Sequence, residues 1–273
     1  MLSQIEKGKQ FRALHQREGA FLIPNPWDIG SAHILAKLGF EALATTSAGY
    51  AFSMGHRDGA VSREGMIAHV AAIASATDLP VSADLGNGFG DAPETAAETI
   101  RMAGEAGAVG GSIEDATGRT GQPIYDLSLA VERIQAAASV ARSLPFDFLL
   151  TARCENYLVG KPDLDDTIRR LQAYRQAGAD VVYAPGLTGI EEISAIVSAV
   201  DCPVNVLAAL RGQDWTAADL GAIGVKRISV GSALARAAYG SFLRAAEEMR
   251  NNGTFGFAEG TVSYRDLSGL FPG

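Results

Sequence analysis

Residues 105–115 read Glu-Ala-Gly-Ala-Val-Gly-Gly-Ser-Ile-Glu-Asp and carry the pattern from which the fold is predicted. A glycine ends an amphipathic segment, a short apolar run follows, and two acids close it. Because glycine readily adopts the positive φ of a helix C-cap, we expect a helix that ends near Gly107 and a buried strand after it. The same order recurs at Gly39, Gly178 and Gly224, with repeats of about 25 to 35 residues, the length of a strand plus its crossover helix.

Eight such units fit the chain. The predicted strands are 20–24, 42–47, 80–84, 109–115, 146–153, 180–185, 203–208 and 227–231. The predicted helices are 28–38, 62–78, 92–106, 126–143, 163–177, 188–199, 215–223 and 232–251, with an extra N-terminal helix at 2–18. Strict alternation of strand and helix predicts a parallel sheet. Eight units in 273 residues indicate a (β/α)₈ TIM barrel that forms a single domain over residues 1–273.

A doubly wound open sheet is the competing fold. Such a sheet usually carries a glycine-rich phosphate-binding turn after its first strand. The corresponding turn here is Asn25-Pro26-Trp27-Asp28, without GxGxxG, so the barrel is favoured. The tail at 251–273 carries several aromatic residues, and we expect it to pack on the barrel or on a neighbouring subunit.

Composition narrows the classes of partner. The formal net charge of −8 and the lack of a basic run argue against a nucleic-acid-binding surface. The chain shows neither a run of about 18 apolar residues nor the apolar core of a signal peptide near its start. A cytoplasmic protein without membrane contact is therefore expected. The two cysteines, Cys154 and Cys202, form no CxxC motif and fit a reducing compartment.

Charged residues close three successive predicted strands. Asp84, Glu114 and Arg153 lie at their carboxyl ends, where barrel enzymes carry their active sites. Neighbouring strands are about 5 Å apart, so the three side chains are expected to meet. Asp84 and Glu114 offer oxygen ligands suited to Mg²⁺ or Mn²⁺. Arg153 matches a carboxylate in a bidentate fork, and Glu155 is expected to orient it.

This arrangement predicts chemistry on a small carboxylate substrate. A metal that chelates a 2-oxo or 2-hydroxy acid, together with an arginine on the acid group, stabilises an enolate. No lysine closes a predicted strand, as a Schiff-base aldolase requires, and no GxSxG marks a serine nucleophile. Tyr183 and Asn205 close two further strands and either contact the ligand or fill the barrel mouth.

Two loops are expected to cover the site. Residues 50–59 are polar and long for a connection between strand and helix, and a lid that delivers Asp58 to the substrate would have this character. Gly86-Asn87-Gly88-Phe89-Gly90 follows Asp84 and is expected to be a flexible loop whose amides cradle a ligand.

These motifs together resemble the isocitrate lyase/phosphoenolpyruvate mutase superfamily, from Phe21 to about Phe255. The matching stretches are Asn25-Pro26-Trp27-Asp28, Thr46-Ser47-Ala48-Gly49, Ser82-Ala83-Asp84, Ile113-Glu114-Asp115, Thr151-Ala152-Arg153-Cys154-Glu155-Asn156 and Pro203-Val204-Asn205-Val206. The resemblance implies a (β/α)₈ barrel, Mg²⁺ held by strand-end acids, and a small 2-oxo or 2-hydroxy carboxylate as substrate. It also implies a homo-oligomer, a dimer or tetramer, that exchanges the last helix between subunits.

The resemblance further implies roles for single residues. Asp84 and Glu114 correspond to metal-site acids, Arg153 to the arginine that binds substrate, and Asp58 to an acid on the lid. The expected catalytic residues are Asp58, Glu114 and Arg153. The expected substrate-binding residues are Trp27, Ser47, Ala48, Gly49, Arg153 and Asn205, with the backbone at 47–49 on the carboxylate end.

Two departures separate this chain from the best-known branches of the superfamily. The usual Asp-x-Asp pair is Ser82-x-Asp84 here, which removes one metal ligand. Residues 116–122 are expected to be a loop without the cysteine and lysines of the lyase branch, and Arg119 is a candidate to replace the lysine. The chain thus resembles a less characterised branch.

The function predicted from the sequence is that of a Mg²⁺-dependent carbon–carbon lyase or decarboxylase that acts on an oxaloacetate-like acid through an enolate. Two alternatives stay open. One is a protein that binds a 2-oxo acid without turnover, and the other is a phosphonopyruvate-type phosphonate enzyme.

Overall fold

The computed structural model describes residues 2–271 and contains a barrel of parallel strands. The strands in chain order are β1 (Phe21–Ile23), β2 (Leu43–Ala44), β3 (Val81–Asp84), β4 (Gly110–Glu114), β5 (Ala116–Arg119), β6 (Gln122–Ile124), β7 (Leu149–Arg153), β8 (Val181–Tyr183), β9 (Val204–Leu207) and β10 (Arg227–Ser229). Eight of them form one sheet in the order β1-β10-β9-β8-β7-β4-β3-β2. The Ala44 N–H donates to the Pro24 carbonyl at 3.1 Å and so joins the β2 and β1 edges. The predicted TIM barrel is confirmed.

Helices connect the strands and surround the barrel. They are α1 (Gln4–Gln16), α2 (Ile29–Lys37), α3 (Ser47–Ser53), α4 (Arg63–Ala76), α5 (Pro93–Glu105), α6 (Leu127–Ser143), α7 (Leu164–Gln176), α8 (Ile190–Ala199), α9 (Ala217–Ala222), α10 (Ala233–Asn252) and α11 (Tyr264–Ser268). Every barrel strand lies within its predicted range, and the nine predicted helices do so too, except that α10 ends one residue later. Gly107 and Gly178 have φ of 98° and 110°, as the C-cap pattern predicts.

The two ends of the barrel differ in polarity. Helix α1 closes the amino end, where Phe11 is fully buried and packs so close to Gly110 that a Cβ there would lie 2.7 Å from the Phe11 ring. Toward the carboxyl end the buried interior is polar instead. Its side chains include Ser82, Ser112, Thr151, Asn205, Arg227 and Ser229. TIM barrels are usually filled with branched apolar residues, so this polar interior is unusual and suits a polar ligand.

Two loop predictions were wrong in secondary structure. Residues 116–122 do not form a loop, because β5 and β6 pair as an antiparallel hairpin. Gly118 supplies a φ of 73° at the turn, and the Thr117 hydroxyl bonds the Gln122 carbonyl across it. The expected 50–59 loop begins inside α3, because the Thr46 hydroxyl accepts the Gly49 N–H at 3.2 Å and caps that helix.

The C-terminal region lies largely on the outside. Ala235 is the one buried residue of the 20 in α10, and Phe242 and Tyr264 are 67% and 89% exposed. Phe271 of the tail, by contrast, lies against α2, where a Cβ on Gly30 would be 3.8 Å from its ring. Among the described helices, none combines the length and apolar character needed to cross a membrane.

Candidate active site

Arg153 is the centre of a buried cluster of charges at the carboxyl end of the barrel. Its Nη1 lies 3.0 Å from Asp84 Oδ1, and its Nη2 lies 3.1 Å from Glu114 Oε2 and 2.8 Å from Glu155 Oε1. The Arg153 side chain is 14% exposed, and those of Asp84 and Glu114 are 17% and 19% exposed. The three strand-end side chains therefore meet in one site.

Strand register explains this meeting. Glu114 at the end of β4 pairs directly with Arg153 at the end of β7. On the other side of β4, Asp84 pairs with Ser112. Parallel strands in register carry their last side chains to the same rim, so the local sequence of each strand is enough to place its charge there.

Asp115 supports this cluster from behind. It is 3% exposed, and its Oδ1 accepts the backbone N–H of Glu155 at 2.8 Å. Its Oδ2 accepts the Tyr174 hydroxyl at 2.6 Å and lies 3.3 Å from Arg170 Nη1. Asp115 thereby holds Glu155, and Glu155 in turn accepts the Arg153 Nε–H at 2.9 Å.

The remaining Asp84 oxygen faces the start of α3. Ser47 N–H donates to Asp84 Oδ2 at 2.9 Å, and the Asp84 N–H donates to Thr45 Oγ1 at 2.8 Å. Ser47 and Ala48 line the cavity beside this contact. The first amide of α3 is thus engaged by a protein carboxylate in the described arrangement.

Trp27 and Gly49 are placed differently from the other predicted substrate-binding residues. A Cβ on Gly49 would lie 2.6 Å from Thr46 Cγ2 and 3.1 Å from Trp27 Cβ, so Gly49 is required by close packing. Neither Trp27 nor Gly49 is among the residues that line the cavities around Arg153. Their contribution is to pack α3 against the turn after β1.

The electrostatics favour uptake of a cation. Burial, and then the negative charges of Glu155 and Asp84, raise the pKa of Glu114 against the opposing effect of Arg153. Partial burial of its carboxyl group and the charge of Asp84 also raise the pKa of Asp58, on the loop between α3 and α4. Burial tends to lower the pKa of Arg153, but the carboxylates around it have the larger combined effect. The pKa is therefore raised above its usual value. Arg153 is therefore a permanent cation amid an excess of acids.

Two cavities meet at Arg153. The first, which we call the lumen cavity, has a volume of about 180 Å³ and runs into the barrel past Ser82, Tyr183, Asn205 and Arg227. The second has a volume of about 460 Å³ and lies between the 58–61 loop, the 86–89 loop and the β5–β6 hairpin. Asp58, Ser47 and Leu158 line both, so a ligand at Arg153 is within reach of Asp58.

The glycine-rich loop after β3 is held in place rather than flexible. The buried Arg133 guanidinium on α6 donates to the carbonyls of Asn87, Gly90 and Asp91 and lies 4.4 Å from the centre of the Tyr125 ring. Burial favours a fixed geometry here, because each carbonyl would otherwise lose its hydrogen bond. The loop that was expected to be flexible therefore has three of its carbonyl groups bonded to one guanidinium.

Arg119 and Cys154 have roles outside the site. Arg119 is exposed and pairs with Asp91 at 2.6 Å, so it does not take the place of a catalytic lysine in this arrangement. Cys154 is fully buried, and burial raises the pKa of its thiol. It packs as a small apolar residue.

Sequence reasoning missed Arg227, which lies inside the barrel at the start of β10 rather than at its end. It also assigned no role to Asn25, whose side chain accepts the N–H groups of Val230 and Gly231, both at 2.9 Å, and donates to the Thr45 carbonyl at 3.0 Å. Asn25 links β1, β2 and β10 at the carboxyl end of the barrel. The sequence signal for both residues was a charged or amide side chain within, or just after, a short apolar strand.

The acids fit a hard cation that keeps part of its water. No group of three or more His, Cys, Asp and Glu side chains within residues 2–271 is arranged to hold a metal. Mg²⁺, however, is commonly bound through one or two carboxylates, with water and substrate supplying the other oxygens. Asp84 and Glu114 are two such carboxylates on adjacent strands, and the excess negative charge beside them favours this occupant.

The family model for phosphoenolpyruvate phosphomutase matches residues 11–250. The chain belongs to this family, within the isocitrate lyase/phosphoenolpyruvate mutase superfamily. A candidate lyase/mutase from Burkholderia cenocepacia J2315 is 62% identical, with a TM-score of 0.96 over 99% of this chain and 97% of that one. The 2-methylisocitrate lyase of Escherichia coli (strain K12) is 30% identical over 211 residues, 74% of this chain and 70% of the relative. A solved oxaloacetate acetylhydrolase with the product oxalate is 26% identical, with a TM-score of 0.86 over 97% and 93% of the two chains.

The resemblance to this superfamily is therefore confirmed, and so is the expectation of an enzyme. The relatives are lyases, mutases and hydrolases of small carboxylates. The match to the family model, over residues 11–250, includes both the barrel strands and the charged cluster at their carboxyl ends. Carbon–carbon lyase chemistry is consistent with this superfamily, whereas the substrate has to be argued from the site.

Proposed function

We propose that this protein is a Mg²⁺-dependent carbon–carbon lyase or decarboxylase that acts on a small 2-oxo or 2-hydroxy carboxylate, such as oxaloacetate, through an enolate. The observation that carries the proposal is the contact of Arg153 with Asp84 and Glu114 at 3.0 and 3.1 Å on the carboxyl rim of the barrel. The relatives named for 2-methylisocitrate and oxaloacetate chemistry support it. A cytoplasmic location and a homo-oligomer belong to the same proposal.

Asp84 and Glu114 would hold the metal, and the metal would supply positive charge where the enolate oxygen develops. In the arrangement described, each of these acids is engaged by Arg153. Binding of a divalent cation would compensate the acids, so that Arg153 can turn its fork toward the substrate carboxylate. Such exchange of partners is favourable because a guanidinium binds a carboxylate through two parallel hydrogen bonds.

The chain's own residues would divide the remaining work. Arg153, oriented by Glu155, binds the acid group, and the backbone at Ser47 and Ala48 lies beside the cavity wall that the substrate contacts. The pKa of Asp58 is raised above its usual value, which is the direction that favours a carboxyl group taking up a proton from the substrate. Leu158 and the lid loop exclude water from the enolate when the loop closes.

The proposal is tested by steady-state assays with oxaloacetate, 2-methylisocitrate, malate derivatives and phosphonopyruvate, each with Mg²⁺ and with a chelator. We expect Mg²⁺-dependent release of a 2-oxo acid or of carbon dioxide from at least one carboxylate. Arg153→Lys should lower kcat/KM by about 100-fold or more, since it removes a preorganised donor to the reacting group. Arg101→Lys, on the exposed face of α5, is the matched control and should leave the rate unchanged.

A second candidate is a protein that binds a 2-oxo acid without turning it over. It is favoured by one observation: Arg153 Nε, Nη1 and Nη2 all contact protein acids, and Ser82 stands where a further metal ligand is expected. Calorimetry that shows tight 2-oxo acid binding, independent of Mg²⁺ and without product, would support this candidate and contradict the lyase.

A further inference from the structure

Arg227 is a buried cation without a counter-ion among residues 2–271. Its residue is 5% exposed, its Nε donates to Asn205 Oδ1 at 2.9 Å, and its Nη2 donates to Thr151 Oγ1 at 2.8 Å. Both of these partners are neutral. Nη1 is buried without a hydrogen-bond partner, and no carboxylate of the described residues forms an ion pair with this guanidinium.

Burying such a group without a counter-ion lowers the stability of the fold. An uncompensated charge in a protein interior is destabilising by several kcal/mol unless a partner offsets it. Burial lowers the pKa of Arg227 to about 10, which still leaves the side chain charged at neutral pH. Neutral hydrogen-bond partners do not compensate a full charge, so Arg227 calls for a negative group that binds from the cavity.

The lumen cavity connects Arg227 to the strand-end cluster. Its lining contains two cations, Arg153 and Arg227, and its acids Asp58 and Asp84 belong to the Arg153 end. Around Arg227 the lining is neutral and polar, with Asn205 donating to Ser229 Oγ at 3.0 Å. Arg153 already contacts three carboxylates, whereas Arg227 contacts none. The guanidinium that can still pair with an anion is therefore that of Arg227, deeper in the barrel.

Strand geometry gives a scale for the separation of the two arginines. Arg227 binds Thr151, which precedes Arg153 by two residues on β7. Two residues of strand correspond to a rise of about 7 Å. A four-carbon acid with a carboxylate at each end spans a comparable distance between its outer oxygens, and a monocarboxylate of the same length offers Arg227 only a methyl group.

We propose that Arg227 is a specificity-determining residue that binds a second carboxylate of the substrate, so that the enzyme selects small dicarboxylates over monocarboxylates. This inference rests on the proposed function for the identity of the substrate, but the subsite itself is defined by Arg227, Asn205 and Ser229, which line the lumen cavity. The second carboxylate lies beside the Arg227 guanidinium in the lumen cavity and supplies the missing counter-ion.

The test compares succinate with butyrate, which share a four-carbon chain and differ by one carboxylate. Calorimetry on the full chain with Mg²⁺ should show that the wild type binds succinate more tightly than butyrate. Arg227→Met should weaken succinate by about 30-fold or more, as expected when one partner of a buried charge pair is removed. Its affinity for butyrate should stay within about twofold, since no charge–charge contact is lost.

Lys7→Met is the matched control. Lys7 is also a buried cation with neutral partners, the carbonyls of Ala74 and Thr77, but it lies on α1 outside the lumen cavity. Its variant should keep the ratio of succinate to butyrate affinity of the wild type. If Arg227→Met does not fold, Arg227→Lys retains the charge without the fork and should reduce the succinate preference in part.

Three outcomes would overturn the inference. They are equal affinity of the wild type for succinate and butyrate, an unchanged affinity ratio in a folded Arg227→Met protein, and displacement of the bound anion by chloride with no preference for dicarboxylates. The first two exclude a second-carboxylate site, and the third identifies a site for inorganic anions. Binding needs no turnover, so a protein that shows the succinate preference but catalyses nothing refutes the lyase and keeps the subsite.

Discussion

The backbone N–H of Glu155 donates to Asp115 Oδ1 at 2.8 Å, so that a buried acid at the end of one strand holds the acid that orients Arg153 on the next. Burial raises the pKa of Asp115, although its hydrogen bonds with Tyr174 and Glu155 oppose the shift. The site is therefore built in two tiers. The outer tier faces the cavity, and the inner tier fixes its geometry.

Asp115→Asn should be strongly destabilising. The amide keeps the size of the side chain but removes the charge that faces Arg170, and it presents an N–H₂ group to one of the donors on Glu155 or Tyr174. We expect a loss of about 3 kcal/mol in the free energy of unfolding, typical of a broken buried ion pair. Urea denaturation measures it, with Asp165→Asn on the exposed start of α7 as control. A loss equal to that of the control would contradict the two-tier arrangement.

Acid should destabilise the fold through two buried histidines. Burial lowers the pKa of His15 from 6.5 to about 3 and that of His69 from 6.5 to about 4, and Nε2 of each has no partner among the described residues. Below pH 6.5 the histidines of the unfolded chain bind protons that those of the folded chain do not bind, so the free energy of unfolding rises with pH. As the pH falls from 6.5 toward 4, each histidine should reduce the free energy of unfolding, by about 2 kcal/mol at pH 5.

His69→Phe tests this pH dependence. The phenyl ring can keep the stacking on Tyr50, whose ring centroid lies 3.9 Å away, but it cannot titrate. Urea denaturation at pH 7.5 and pH 5 should therefore show a smaller difference for the variant than for the wild type. His56→Phe changes an exposed histidine in the same way and should leave the difference unaltered. An equal effect of both variants would rule out burial as the cause.

Arg133→Met should release the glycine-rich loop. The variant removes the donor shared by the Asn87, Gly90 and Asp91 carbonyls and keeps most of the side-chain volume. We expect faster amide hydrogen exchange over 86–91, because a loop without its hydrogen bonds opens more often. Exchange over β7 should stay as in the wild type. Faster exchange in β7 would mean global destabilisation and would contradict a local clamp.

Helix α10 should mediate assembly. Phe242 and Leu243 are 67% and 56% exposed on a helix with a single buried residue, and large exposed apolar patches commonly mark interfaces. Light scattering after size exclusion should give a mass that is a multiple of 28.5 kDa. Phe242→Glu combined with Leu243→Glu should yield the monomer.

Leu38→Glu is the control for that experiment. It introduces a glutamate at a leucine that is 66% exposed at the C-cap of α2, remote in sequence from α10. Its mass should equal that of the wild type. A wild-type protein that runs as a monomer at all concentrations would refute the proposed assembly.

The order of strands and helices could be predicted because their signals are local. A helix C-cap glycine, an apolar run and a polar turn all lie within about ten residues, and each follows from backbone geometry and burial. The placement of Asp84, Glu114 and Arg153 on one rim follows from the same reasoning, since parallel strands in a barrel share a direction. These residues needed only the correct fold class to be brought together.

The supporting contacts depended instead on residues distant in the chain. Arg133 reaches the Asn87 carbonyl across 46 positions, and Arg227 reaches Thr151 across 76. No periodicity or spacing encodes such pairs, because they arise from the stagger of the strands and from which side chains fill the interior. The chain's own pattern thus dictated the barrel and the acids at its mouth. The closed sheet alone determined that the glycine-rich loop is clamped, that Asp115 faces inward and that Arg227 has no counter-ion in the part of the chain that the structure describes.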